Sequence, residues 1–216
     1  MRGRGHGVPG RSLPHAARGT LRRRAGLARP EMVFLLALAL MIFSLVIPGW
    51  FAWQRRARFS AARLDLTVLS EAARRFYSEY GIWPATSAGG TDARFGQERP
   101  NSEVMNALLA IDGPGNQHQA VNPNSIVFLE APHARSGISG LDSDGNFVDP
   151  WGTPYQIVLD IDLNNACDVP KTVYSNMVGE GFIAWSCGPD RISDTADDIL
   201  SWKARREVKA GGAQHH

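Results

Sequence analysis

Four aspartates crowd into nine residues near the C-terminus: Asp190, Asp194, Asp197 and Asp198. Like charges so close are costly unless water solvates them or a cation shares them. Ca²⁺ suits such a set, because it takes six to eight hard oxygen ligands in irregular geometry, backbone carbonyls of a loop included. A solvated acidic turn is the other reading. Two further clusters begin like EF-hand loops: Asp142, Asp144 and Asn146 around Gly145, and Asp160, Asp162 and Asn164 with Asp168 beyond. Neither has a Glu at the twelfth position, which holds Thr153 in the first and Lys171 in the second, so polar turns describe them better. Of the six histidines, only His118 and His133 lie away from the chain ends, and neither has a Ser, Cys or carboxylate in a recognisable catalytic pattern. No Gly-rich phosphate loop is present in the sequence. The chain reads as a protein that is not an enzyme.

The other carboxylate that asks for a partner is Glu31, at the head of the longest apolar run. Met32 to Trp53 is 22 residues without a charge, followed at once by Gln54-Arg55-Arg56. As a helix it extends about 33 Å, enough to cross the hydrocarbon core of a bilayer. Trp50, Phe51 and Trp53 form an interfacial aromatic belt at its end. The run is too long, and its exit too bulky, for a cleaved secretory signal. A carboxylate at the membrane end of such a helix is costly unless paired. Alternatively Glu31 lies in the headgroup layer as a helix-start acid, favourable with the helix dipole.

Charge is distributed unevenly. Residues 1–30 hold eight Arg and no acid, whereas Gly81 onward has nine Lys/Arg against seventeen Asp/Glu. An acidic polar part argues against nucleic-acid binding, and the basic start sets topology. The positive-inside rule favours a cytoplasmic N-terminus only weakly, since Arg55, Arg56, Arg58 and Arg63 follow the span. The two cysteines, Cys167 and Cys187, fit neither a redox pair nor a zinc cluster. In an oxidising compartment one disulfide would close a loop of about 20 residues and contribute about 3 kcal/mol; two buried free thiols are the alternative.

After the span, Phe59, Ala62, Leu66, Leu69, Ala73 and Phe76 recur at three- and four-residue intervals and predict a helix over 55–80 with one core-facing stripe. Gly81 and Pro84 end it. Residues 85–100 read as loop, and Ser102 caps a short helix through Ile111 with Val104, Leu108 and Ile111 inward. Ile126 to Leu129, Tyr155 to Leu159 and Phe182 to Ser186 are strand candidates, with Trp151 and Tyr155 as core aromatics. The fold class is α+β: a long N-terminal helix, transmembrane in its first half, packed on a small C-terminal antiparallel sheet. The expected division is a leader (1–26), a membrane and packing helix (27–54), one domain (55–210) and a disordered tail (211–216). Within the domain, the sheet falls at about 126–188 and the acidic loop at 188–202.

These segments resemble the type IV pilin and type II secretion pseudopilin superfamily. The resemblance rests on a short basic leader ending in Gly26, on Glu31 at the fifth position after it and on Pro48 at the twenty-second. It extends to Asp149-Pro150-Trp151-Gly152-Thr153-Pro154-Tyr155 and to Ser186-Cys187-Gly188-Pro189-Asp190 with Asp197-Asp198-Ile199 and Trp202. Leu27-Ala28-Arg29-Pro30 depart from the usual residues between cleavage site and Glu, and the loop lacks two customary glycines. The resemblance implies a type IV pilin-like fold with cleavage after Gly26 by a prepilin peptidase and methylation of the Leu27 amine. It implies pairing of Glu31 with that amine on an adjacent subunit, a bend at Pro48, and a Ca²⁺ held by Asp190, Asp197 and Asp198, with Asp194 outside the ligand shell. The implied function is a structural subunit polymerising into the periplasmic pseudopilus of a type II protein secretion system. Its partners are its own copies, other pseudopilins and the inner-membrane platform. The place is the bacterial inner membrane, single-pass, with the domain in the periplasm. A surface type IV pilus subunit for adhesion, motility or DNA uptake is the nearest alternative. A non-polymerising membrane-tethered periplasmic binding module is the next.

Overall fold

The computed structural model describes residues 29–85, 91–167, 169, 177–178 and 180–202. The leader, Gly26, Leu27, Asp168 and the tail lie outside these. One uninterrupted helix, α1 (Arg29–Tyr80), runs through Pro48 for 52 residues. The chain divides into two compact units, one up to Ile47 and one from Pro48 on. In the first, apolar side chains point outward all round: Phe34, Leu36 and Met41 are each more than half exposed. The helix is long and apolar enough to cross a membrane.

From Pro48 on, α1 changes character. Ala62, Leu66, Leu69, Ala73 and Phe76 are buried on one stripe, joined by Ala72, with Phe59 partly buried at its start. The helix stops because Gly81 takes φ +69°, and its amide donates to the Tyr77 carbonyl at 2.8 Å. An L-residue reaches that left-handed conformation at a cost that Gly avoids.

The stripe packs on a four-stranded antiparallel sheet of order β1-β4-β7-β8, formed by β1 (Ala93–Phe95), β4 (Gln156–Leu159), β7 (Phe182–Ser186) and β8 (Ile199–Leu200). Two small hairpins flank it: β2 (Gly140–Leu141) with β3 (Phe147–Val148), and β5 (Ala166–Cys167) with β6 (Met177–Val178). Period-2 alternation divides the side chains between two cores. Phe95, Ile157, Leu159, Phe182 and Ala184 join the helix stripe. Val158, Ile183, Trp185 and Leu200 meet Cys167, Val169 and Trp202 on the other face. This accounts for the unbroken burial of β4 and β7.

Three local expectations are corrected. The short helix α2 (Ser102–Leu108) ends early: Leu109 still has helical angles, but Ala110 turns at φ 58°, leaving Ile111 exposed. Ser102 does not cap it; Asn101 holds the first position, and its side chain looks elsewhere. That amide donates to the carbonyls of Phe147 and Tyr155, both at 2.9 Å, and its oxygen accepts from the Phe147 amide at 2.8 Å. Ile126 to Leu129 forms no strand, because the amides of Phe128 and Leu129 go to the Leu108 carbonyl at the end of α2. Conversely, Ala93–Phe95 is a strand inside a stretch that reads as loop.

The packing sets a contrast on one helix. Leu69→Ala leaves a cavity beside Phe76 and Leu66 and lowers unfolding free energy by about 3 kcal/mol. Leu64→Ala, on the exposed face, changes it by less than about 0.5 kcal/mol. Urea unfolding of the two variants followed by tryptophan fluorescence checks the difference.

Candidate functional site

The acidic loop begins where β7 ends, and its root is tied to the turn after β3. Asp149, buried between Val148 and Pro150, accepts from the amides of Trp151 and Thr153 at 2.9 Å each on Oδ1. Its Oδ2 accepts from the Ser186 hydroxyl at 2.6 Å, and Ser186 Oγ in turn accepts from the Gly188 amide at 3.1 Å. The Asp-Pro-Trp-Gly turn and the Ser-Cys-Gly root are thus one hydrogen-bonded unit. Burial raises the Asp149 carboxyl above its ordinary range, against the lowering effect of these bonds.

Gly188 stands at φ +65°, and a Cβ there would lie 2.6 Å from the Asp197 carbonyl oxygen. Only Gly admits the return of the loop so close to its root. Within the loop the carboxylates serve its own backbone. Asp190 Oδ1 accepts from the Ile192 amide at 2.8 Å, and the Asp190 amide donates to Asp197 Oδ2 at 3.3 Å. Asp197 Oδ1 accepts from the Thr195 hydroxyl at 2.7 Å. Asp198 Oδ2 accepts from the amides of Asp194 and Thr195 at 2.8 and 3.1 Å. The Thr195 bond, first among the causes, lowers the Asp197 carboxyl below its usual range. Burial raises that of Asp198. The indole N–H of Trp185 donates to Ser193 at 2.8 Å and fastens the loop's middle to β7.

Asp190, Asp197 and Asp198 share one short loop, with the Asp190 amide on Asp197 Oδ2 and the Asp197 carbonyl turned toward Gly188, but the structure does not bring their three carboxylates together within 4.8 Å. Asp198 points to the 194–195 turn, which suits it to shaping the loop as much as to ligation. Asp194, at φ 72°, contributes its amide to that turn.

A second convergence lies elsewhere. Among the described residues, Asp92, Asp160 and Asp162 bring one oxygen each within 4.8 Å of one another. Sequence reading finds Asp160 and Asp162 but not Asp92. Register explains the meeting, for β1 pairs with β4 as Ala93 opposite Leu159, which puts Asp92 beside Asp160. Asp160 is occupied as a turn acceptor for the amides of Asn164 and Asn165, at 3.0 and 2.9 Å. The Asp142 cluster is likewise a polar turn, between β2 and β3.

Of the two states open to Cys167 and Cys187, the structure has the second: both thiols are free and buried. Cys167 Sγ lies 3.0 Å from the Glu180 carbonyl, just before β7, while Cys187 follows its far end. A strand's length, about 17 Å, stands between them where a disulfide needs Cα atoms within about 7 Å. Burial pushes the Cys187 thiol up to about 11, with the Asp149 charge adding to the rise, and raises Cys167 further still. Neither is a reactive thiolate.

Glu31 lies in the first turn of α1, and Pro48 lies within the helix. Gly26 and Leu27 fall outside the described residues. The geometry defines an α+β domain on a helix able to span a membrane, with a tightly rooted acidic loop at its C-terminal end. In comparisons with known proteins the chain matches no family model, no curated protein and no solved structure.

The raised Asp149 carboxyl gives a pH test. A carboxyl with a raised folded pKa favours the neutral form, so its contribution is full below the ordinary carboxylate range, near 4, and is lost as pH rises through the folded value. The unfolding free energy of wild type minus that of Asp149→Asn therefore falls between about pH 3 and neutrality. Denaturant melts of both proteins across that range measure it; a difference that grows with pH would show an anion held by its three donors.

Proposed function

We propose that this chain is a prepilin-like subunit, cleaved after Gly26 and polymerised through α1 into a periplasmic pseudopilus of a type II secretion system. The observation that carries the reading is the division of one continuous helix. Its first part is apolar on every face and, among the described residues, has no buried side chain, whereas its second part is the one-striped spine of a folded domain. A helix dressed for lipid on all sides can exchange lipid neighbours for identical helices without changing its own structure. Glu31, at the start of that helix, pairs with the Leu27 amine of an adjacent copy and sets the axial register. Addition of subunits then moves the filament outward, driven by an ATPase on the cytoplasmic side.

The acidic loop gives the second support. Asp190, Asp197 and Asp198 would hold a Ca²⁺, which would offset the like charges of the loop. The chain's own part is to fix the loop root through Asp149, Ser186 and Gly188, so that the loop meets the neighbouring subunit in one conformation.

Two measurements test the reading. Mass spectrometry of the N-terminal peptide from membrane-extracted protein should give N-methyl-Leu27, and Glu31→Ala should insert normally yet assemble poorly. A retained Met1 leader on a solitary protein would instead support the tethered module. For the loop, Ca²⁺ at 100 times its Kd stabilises the protein by about 2.7 kcal/mol. Asp197→Asn removes most of that rise in thermal midpoint, as read by scanning fluorimetry with Ca²⁺ and with EGTA.

A further inference from the structure

A pocket of about 520 Å³ opens beside α1, lined by the guanidinium-bearing residues Arg58, Arg135 and Arg191 together with Asp142, Asp149 and Trp151. Its two acids are occupied from within. Asp142 accepts from the amides of Asp144 and Asn146, and Asp149 from those of Trp151 and Thr153 and from the Ser186 hydroxyl. The three arginines are not so engaged: among the described residues the ion pairs are Arg74–Glu180, Arg94–Glu98 and Arg99–Glu103. Three cations around a recess of this size suit an anion of small-molecule dimensions. Arginine's planar fork suits phosphate oxygens in particular.

Position identifies the source of the phosphate. Arg58 is five residues beyond Trp53, the last residue of the charge-free run, or about 8 Å along the helix. A bilayer's polar layer is about 5–8 Å deep on each side. A neighbouring recess is lined by Trp53, Arg58, Gly137 and Ile138, so the tip of the 135–138 turn stands at the level of the aromatic belt. That turn closes through paired bonds between Arg135 and Ile138 and leaves Ile138 more than half exposed, as Trp53 also is. An apolar tip beside an interfacial Trp, with a cationic pocket above it, is the arrangement that meets a lipid end on.

We propose that the Arg58–Arg135–Arg191 pocket binds the phosphate of one anionic phospholipid at the membrane surface. The proposal needs α1 to span the bilayer but does not need the filament. The test uses the full chain in nanodiscs of phosphatidylcholine with phosphatidylglycerol, and native mass spectrometry to count lipids retained on ejection. Co-elution with nanodiscs reads the anchor separately from the pocket. One phosphatidylglycerol per chain should be retained preferentially. Arg135→Gln and Arg191→Gln, both exposed positions, should each lower that preference about fivefold, the equivalent of ~1 kcal/mol per basic residue at an anionic surface. Arg56→Gln, which has the same charge change outside the pocket, should lower it by less than twofold. Equal losses in all three variants would reduce the effect to diffuse attraction and overturn the site. Displacement of the lipid by millimolar inorganic phosphate would overturn the lipid as its occupant.

Discussion

Burial of one stripe of α1, from Ala62 to Phe76, is the constraint on which the domain depends. The described sheet is too small to stand alone. Its widest pairing, β4 with β7, matches four residues on each strand. What makes it a domain is the helix laid across one face, with Leu66, Leu69 and Phe76 meeting Ile157, Leu159 and Phe182. Polar bonds then fix the helix in place. The Tyr155 hydroxyl donates to Asp65 at 2.7 Å, and Arg74 pairs with Glu180 at the same distance. Burial, with the neighbouring Asp65 carboxylate adding to it, raises the Tyr155 phenol, so it remains a donor at every physiological pH.

From that platform the hydrogen bonds lead to the acidic loop. Asn101 joins α2 to β3 and to Tyr155; the turn after β3 presents Asp149; Asp149 takes the Ser186 hydroxyl; Ser186 takes the Gly188 amide. Each link is a buried polar group satisfied by the next, so loss of one leaves its neighbours unpaired in a low-dielectric interior. The loop is exposed, but its geometry is set by groups that are not.

Legibility in the sequence followed the range of the forces. The helix stripe, β4 and β7 are dictated by local periodicity and were readable from Phe59 to Phe76, Tyr155 to Leu159 and Phe182 to Ser186. Ala93–Phe95 was not, because three residues in a polar stretch become a strand only through pairing with β4, some 60 residues away. Ile126 to Leu129 has strand-like side chains, yet its amides are claimed by the Leu108 carbonyl, and no propensity encodes that. Asp149 and Ser186 stood inside recognisable motifs without any signal that they bond to each other. The nearness of Asp92 to Asp160 likewise belongs to register alone. Sequence spacing left both states of the cysteines open, since it counts residues and ignores the strand laid between them.

That separation bears on how the chain can be made. Both sulfhydryls are walled into packed side chains, and the fold is complete without a covalent tie. With neither thiol bonded, the described fold holds no cross-link that a reducing compartment would break or an oxidising one would have to form. Maturation of the domain asks nothing of oxidase or isomerase machinery, and its architecture is the same on either side of the redox boundary.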